Sequence, residues 1–135
     1  MKNNEREIVI RQTISDLKEQ MVRWQAMVAH FVATKGIIIE SSTIVYDREP
    51  GKAITYRFTT LENEIIEAEH RSSAHWPDEK GWEKYEKRMS VDTTVSVMYN
   101  PENPSDNVAF FDVSILEGAI EAAREVLHDL EMALH

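Results

Sequence analysis

Two histidines and two glutamates stand close together in the middle of the chain and are the first candidates for metal chemistry. His70 and His75 lie near Glu67 and Glu69. Imidazole and carboxylate groups bind zinc when several elements bring three or four of them together, but this spacing matches no standard zinc motif. Surface or capping histidines are the alternative, and we predict no metal ligand here.

A second pattern of the metal-binding type lies near the C-terminus. Glu125 and His128 form a Glu-x-x-His sequence, which binds pairs of iron ions in helical bundles. Such a site needs the motif on two helices, and the predicted helices carry it once. We expect His128 to lie instead at the negative end of the last helix, where an imidazolium is favoured.

Residues of the types used in nucleophilic catalysis cluster at Ser72, Ser73, His75 and Asp78. Catalytic triads converge in space from separate elements, so a cluster within seven consecutive residues is not their usual signature. We therefore predict no catalytic residue and no cofactor.

Segment 70–90 alternates aromatic with basic residues, which is a pattern that can stack on single-stranded nucleic acid. Its aromatic members are Trp76, Trp82 and Tyr85. Acidic residues cancel most of the positive charge, and the whole chain has a net charge of −9, which repels phosphate. We predict no nucleic-acid partner. The aromatic residues are candidates for protein contact, because tryptophan and tyrosine dominate interface hot spots; the alternative is that they pack on the sheet.

The bulk composition indicates one small domain. The chain has 135 residues and no cysteine, which fits a reducing compartment. No stretch approaches the roughly 20 apolar residues of a membrane-spanning helix. The first residues are polar and charged, so we expect no signal peptide. We expect a soluble, cytoplasmic protein without membrane insertion.

The elements that position these residues begin with a long helix over residues 5–35. Apolar residues recur at alternating steps of four and three, as in a heptad seam. They are Ile10, Ile14, Leu17, Met21, Trp24, Val28 and Phe31. Gly36 follows as a candidate helix-ending residue. A second helix, over 114–134, opens on a capping-box pattern at Ser114 and Glu117. It is net negative and the first is net positive, so we expect the two to pack antiparallel.

Between the helices, over 36–113, apolar residues alternate with polar ones, which predicts strands. Residues 72–90 interrupt this pattern with a helical insertion whose inner face is Trp82, Tyr85 and Met89. The predicted fold class is α+β, with an antiparallel sheet or small barrel of about five strands in one domain, 1–135.

Three segments of this region resemble a bacterial domain-of-unknown-function family, number 3592. They are Lys35–Ser41, Ala53–Phe58 and Thr94–Pro104. The resemblance covers residues 35–112 and implies a small antiparallel β-domain, but no activity. That family generally places its β-domain beside transmembrane helices, whereas the flanking segments here are amphipathic and charged.

The length of the first helix motivates the functional expectation. Residues 5–35 would span about 45 Å, more than a compact domain of this size covers. We expect Ile10, Ile14 and Leu17 to remain partly uncovered and to form a homodimer or larger assembly. The predicted function is a non-enzymatic protein-interaction module: an adaptor, inhibitor or immunity-type protein.

Two alternatives come from other classes of function. The first is a small-ligand-binding protein or enzyme, with a pocket between sheet and helices lined by Tyr46, Tyr56, His70 and Tyr99. The second is an accessory domain of a membrane-associated system, which rests on the family resemblance alone.

Overall fold

A computed structural model describes residues 2–46, 48–73 and 79–135 and has the predicted α+β class. The elements in chain order are α1 (Lys2–His30), β1 (Val32–Tyr46), β2 (Glu49–Thr59), β3 (Ile65–Ser73), α2 (Glu79–Arg88), β4 (Thr94–Asn100), β5 (Asn103–Ala109) and α3 (Val113–Ala133). They form two compact units. Residues 2–31 and 112–135 make a helical unit, and residues 32–111 make a sheet unit.

In the helical unit, the heptad seam of α1 packs against the apolar face of α3. The buried centre is Met21, Ile120 and Ala123, and half-buried Leu17, Trp24, Val28 and Leu127 surround it. Lys18 of α1 pairs with Glu131 of α3 at 3.7 Å. The early part of α1 therefore meets the late part of α3, which is the predicted antiparallel arrangement.

Helix α1 ends at His30, five residues before its predicted end. Val32 to Lys35 belong to β1, where they pair with Tyr99 to Ser96 of β4. Gly36 is consequently a strand residue and not a helix cap. A Cβ at this position would lie 3.0 Å from the carbonyl oxygen of Arg57 and 3.1 Å from Val97 Cγ2, so glycine serves close packing across the sheet.

Helix α3 begins one residue earlier than predicted and has a different cap. The Asp112 carboxylate accepts a hydrogen bond from the Ile115 backbone N–H at 2.8 Å. Asp112, and not Ser114, is therefore the N-cap. A carboxylate at this position also interacts favourably with the positive end of the helix dipole.

The sheet has five antiparallel strands in the order β3-β2-β1-β4-β5, as many as predicted. The edge strands β3 and β5 approach each other, so the sheet is nearly closed. Asn63 has the left-handed backbone conformation (φ 65°) in the β2–β3 turn. Strand β5 starts at Asn103, directly after a tight turn in which the Asn100 side chain accepts a hydrogen bond from the Glu102 N–H.

The inner face of the sheet carries the core of this unit. Its buried members are Ile38, Ile54, Tyr56, Phe58, Val95, Val97, Tyr99 and Ala109, together with Tyr85 and Met89 from α2 and its end. Burial of each large apolar side chain stabilises the fold by about 1.5–3 kcal/mol. Helix α2 thus covers part of the inner face, as its apolar spacing predicted.

Candidate functional site

Two of the four predicted pocket residues, Tyr56 and Tyr99, are buried in the core of the sheet unit. The Tyr56 hydroxyl donates to Asn107 Oδ1 on β5, and the Tyr99 hydroxyl accepts from the Leu61 N–H at 3.0 Å. The Tyr99 ring packs 5.4 Å from the ring of Phe58. Burial raises the pKa of Tyr56 to about 12. Both hydroxyl groups are thus engaged inside the fold.

His70, the third pocket candidate, lies half-buried on the inner face of β3. Its ring is 4.9 Å from the ring of Phe110, and burial lowers its pKa. The side chain of Tyr46, the fourth candidate, lies outside the described residues. Tyr56 and Tyr99 are therefore part of the core of the sheet unit, and the half-buried His70 packs beside Phe110.

The aromatic residues of the insertion hold α2 against the sheet. Tyr85 is 4% exposed, and its hydroxyl contacts Ser72 Oγ and donates to the Ser72 carbonyl oxygen at 3.0 Å. The half-buried Trp82 packs beside it, with ring centroids 5.7 Å apart. Trp76 lies outside the described residues, as do His75 and Asp78 of the predicted nucleophilic cluster. Trp82 and Tyr85 therefore pack against the sheet, which was the alternative to a role in protein contact.

Lys52 adds a polar clamp to the same contact between α2 and the sheet. Its ammonium group donates to Thr43 Oγ1 at 2.9 Å, pairs with Glu86 at 3.3 Å and lies 5.9 Å from the ring centre of Trp82. Lys52 is 9% exposed. Helix α2 thereby holds the halves of β1 and β2 that extend beyond β4, from the inner face of the sheet.

The predicted uncovered ridge of α1 is largely covered within the chain. Ile14 is buried at 9% exposure, and Ile10 and Leu17 are half-buried. The expectation for Ile14 is wrong because α3, about 32 Å long, reaches far enough for Leu134 to lie beside Ile10 and Ile14. The exposed apolar residues of α1 are Ile8, Val9 and Val22.

One half of β1 has an open edge. Strand β1 has 15 residues and β4 has seven. Strand β4 pairs with β1 over Val32–Ile37, and the pairing ends where Ile38 exchanges hydrogen bonds with Thr93 and Asp92. From Ile39 to Val45, none of the described residues pairs with this edge, while β2 pairs with the other. The open stretch is about 24 Å long.

The register shows which backbone groups face the open side. An irregularity between Ile38 and Glu40 inserts one extra residue into β1. Beyond it, Val45 lies opposite Pro50. Proline has no N–H, so this is a pair that does not exchange hydrogen bonds across the β1–β2 ladder. Backbone groups alternate in direction along an antiparallel strand. The N–H and C=O groups of Ser41, Thr43 and Val45 therefore point to the open edge.

A groove of about 570 Å³ crosses the outer face of the sheet, from Val91 and β1 over β2 to β3. Its lining is Ile39, Glu40, Ser41, Ser42, Ile44, Ala53, Ile54, Thr55, Glu69, Arg71 and Val91. Small residues of β1 and β2 form its floor, which leaves room for an approaching backbone. We name Ile39–Val45 with this groove the β1 edge site.

Charges at the β1 edge site are only partly paired. Glu69 forms an ion pair with Arg71. Glu40 is exposed and has no ion-pair partner within residues 2–46, 48–73 and 79–135, and the same holds for Asp92. The site therefore carries negative charge at the end where β4 leaves β1.

Comparison with known proteins places the site inside a family region. A family model described as a domain of unknown function, DUF3592, matches residues 34–114. The chain belongs to this family. The DUF3592 region contains nearly the whole sheet unit, including the β1 edge site. No curated protein and no solved structure matched the chain.

The described part of this DUF3592 protein shows two further features. None of its helices is long and apolar enough to cross a membrane. No three histidine, aspartate or glutamate side chains among the described residues lie close enough together to hold a metal ion.

Sequence reasoning missed the β1 edge site, although one signal for it exists. The run from Ser41 to Tyr46 is uncharged and rich in β-branched residues, and it extends β1 well beyond the length of β4. The mismatch between strand lengths becomes visible only once the strand partners are known.

Proposed function

We propose that this DUF3592 protein is a non-enzymatic protein-interaction module that binds an extended segment of a partner protein at the β1 edge site. The observation that carries the proposal is the open edge of β1 over Ile39–Val45. Its outward N–H and C=O groups, which no described residue pairs, can form a ladder with an added strand, and the adjoining groove can accept alternate side chains of that strand.

The composition of the edge supports this proposal. Exposed strand edges are ordinarily protected by lysine, proline or a covering element. Ser41 to Val45 contain no lysine, proline or other charged residue, and Val45 is 80% exposed. A strand edge without lysine or proline favours pairing with another strand.

The rigidity of the edge supports it as well. Lys52 and Trp82 hold against α2 the half of the β1–β2 hairpin that extends beyond β4. A strand that is already extended and fixed loses little conformational entropy when a partner binds. The clamp between α2 and the sheet thus serves recognition indirectly, by preorganising β1.

Site-specific photocrosslinking tests the proposal. A photoreactive amino acid at Ser42, which is exposed beside the edge, should capture a defined partner in cells of the source organism. Val45→Pro removes one outward N–H and should abolish the crosslink, whereas Val45→Thr keeps the N–H and should retain it. A crosslink that survives Val45→Pro, or that also forms from Glu102 on the distant β4–β5 turn, would contradict the proposal.

Homo-oligomer formation through α1 is a separate proposal with narrower support than the sequence indicated, because α3 covers Ile14. It rests on Ile8 and Val9, which are 67% and 63% exposed at the start of α1. Light scattering should show a dimer that Val9→Glu dissociates; a monomeric wild-type protein would remove the proposal.

We further propose a cytoplasmic location, which the absence of cysteine supports.

A further inference from the structure

We infer that the segment bound at the β1 edge site is basic: an extended stretch of a partner protein with a lysine or arginine side chain beside Glu40 and aliphatic side chains at alternate positions. This inference rests on the proposed function and specifies the chemistry of the partner.

The charge of the site carries the first step. Within the groove, Arg71 is already paired with Glu69, and the neighbouring Arg57 is paired with Glu67 at 2.7 Å. Glu40 is the groove carboxylate that has no cationic partner among the described residues. An approaching strand would partly desolvate this carboxylate, so a positively charged side chain is favoured opposite it.

Asp92 lies at one end of the site and also favours a positively charged partner. Its backbone N–H donates to the Ile38 carbonyl oxygen at 2.8 Å, at the point where the chain turns away from β1. Its exposed carboxylate has no ion pair with Lys87 or Arg88 at the end of α2. A strand that continued the direction of β4 would point its C-terminal end at Asp92. A free C-terminal carboxylate would be repelled there, so we infer an internal segment.

The apolar lining specifies the other side chains. Ile39, Ile44 and Val91 border the groove, and Val91 is 49% exposed. Side chains of an extended strand alternate between its two faces. Every second residue of the bound segment can therefore contact these aliphatic groups while the residues between them face solvent.

A second copy of the chain fits the site less well. Two-fold pairing of two β1 edges would bring together two copies of a molecule with net charge −9. A basic segment from another protein is attracted to this charge and not repelled by it.

Three synthetic peptides test the inference on the full-length protein. Each has eight residues, blocked ends and alternating valine and threonine, with one central residue changed to lysine, glutamine or glutamate. Fluorescence anisotropy should show that the lysine peptide binds on the order of tenfold more tightly than the glutamate peptide in low salt, as expected for one or two exposed ion pairs. The difference should shrink in high salt.

Charge-reversal variants provide the control. Glu40→Lys should invert the order of the peptides, whereas Glu102→Lys, which changes the net charge equally on the remote β4–β5 turn, should leave it unchanged. Equal binding of all three peptides that Val45→Pro abolishes would overturn the basic-segment inference and leave the proposed function standing. Binding of any peptide that Val45→Pro does not affect, or no binding at all, would overturn both. A wild-type dimer that Val45→Pro dissociates would identify a second copy as the occupant and overturn the inference.

Discussion

Gly51→Ala and Gly118→Ala each add one methyl group, yet we expect them to change the free energy of unfolding in opposite directions. At Gly51 in β2, a Cβ would lie 2.1 Å from the Ser72 carbonyl oxygen and 3.0 Å from Ser73 Cα. Ordinary carbon contacts are near 3.5–4 Å, so β3 must retreat by more than about 1 Å. At Gly118 in α3, nothing lies within 4 Å of the added atom.

The magnitudes follow from these surroundings. Retreat of β3 weakens the pairing of Gly51 with Ser73 and of Lys52 with Ser72. At about 1 kcal/mol for each backbone hydrogen bond lost, Gly51→Ala should destabilise the protein by about 2–3 kcal/mol. Gly118→Ala should stabilise it by about 0.5–1 kcal/mol, because alanine loses less backbone entropy than glycine in a helix.

Urea unfolding followed by far-ultraviolet circular dichroism measures both changes. Wild type and the two variants should unfold in the order Gly51→Ala, wild type, Gly118→Ala as urea increases. A Gly51→Ala protein within about 0.5 kcal/mol of wild type would refute the close approach of β2 and β3. Destabilisation by Gly118→Ala would refute the exposed position of that residue on α3.

Two further predictions concern individual side chains. Tyr56→Phe removes the hydrogen bond to Asn107 and should cost about 1–2 kcal/mol near neutral pH. Because the pKa of Tyr56 is raised from 10.0 to about 12 in the folded protein, its contribution is complete below pH 10 and is lost as the pH rises toward 12. The stability difference between wild type and Tyr56→Phe should therefore shrink by about 1 kcal/mol between pH 9 and 11; a constant difference in thermal denaturation would contradict this assignment. Asp112→Ala should destabilise α3 by about 1 kcal/mol through loss of the N-cap, whereas Ser114→Ala should have little effect. Equal losses from both variants in urea unfolding would point back to the capping box predicted from the sequence.

Patterns local in the sequence were sufficient to predict the helices and strands, but not the residues at which they end. The heptad seam predicted α1, and the period-two alternation predicted the strands. The end of α1 depends on Val32 to Lys35, which are β-branched in part and gain hydrogen bonds from β4. That gain comes from residues more than 60 positions away, and no local propensity contains it.

The site was less predictable than the fold for a related reason. Tyr56 and Tyr99 were expected to line a pocket, and both lie in the buried core of the sheet unit. Asn107 and the Leu61 N–H, which engage the two hydroxyl groups, lie on other elements. The open edge of β1 likewise depends on where β4 begins, and hence on the whole order of strands.

Residue-resolved amide hydrogen exchange on the free protein tests the open edge of β1 most directly. The N–H groups of Glu40, Ser42 and Ile44 face β2 and should exchange slowly, whereas those of Ser41, Thr43 and Val45 should exchange almost as fast as in an unfolded chain. This alternation over six consecutive residues is the predicted result. Slow exchange at all six positions would show that the edge is already covered and would contradict the β1 edge site.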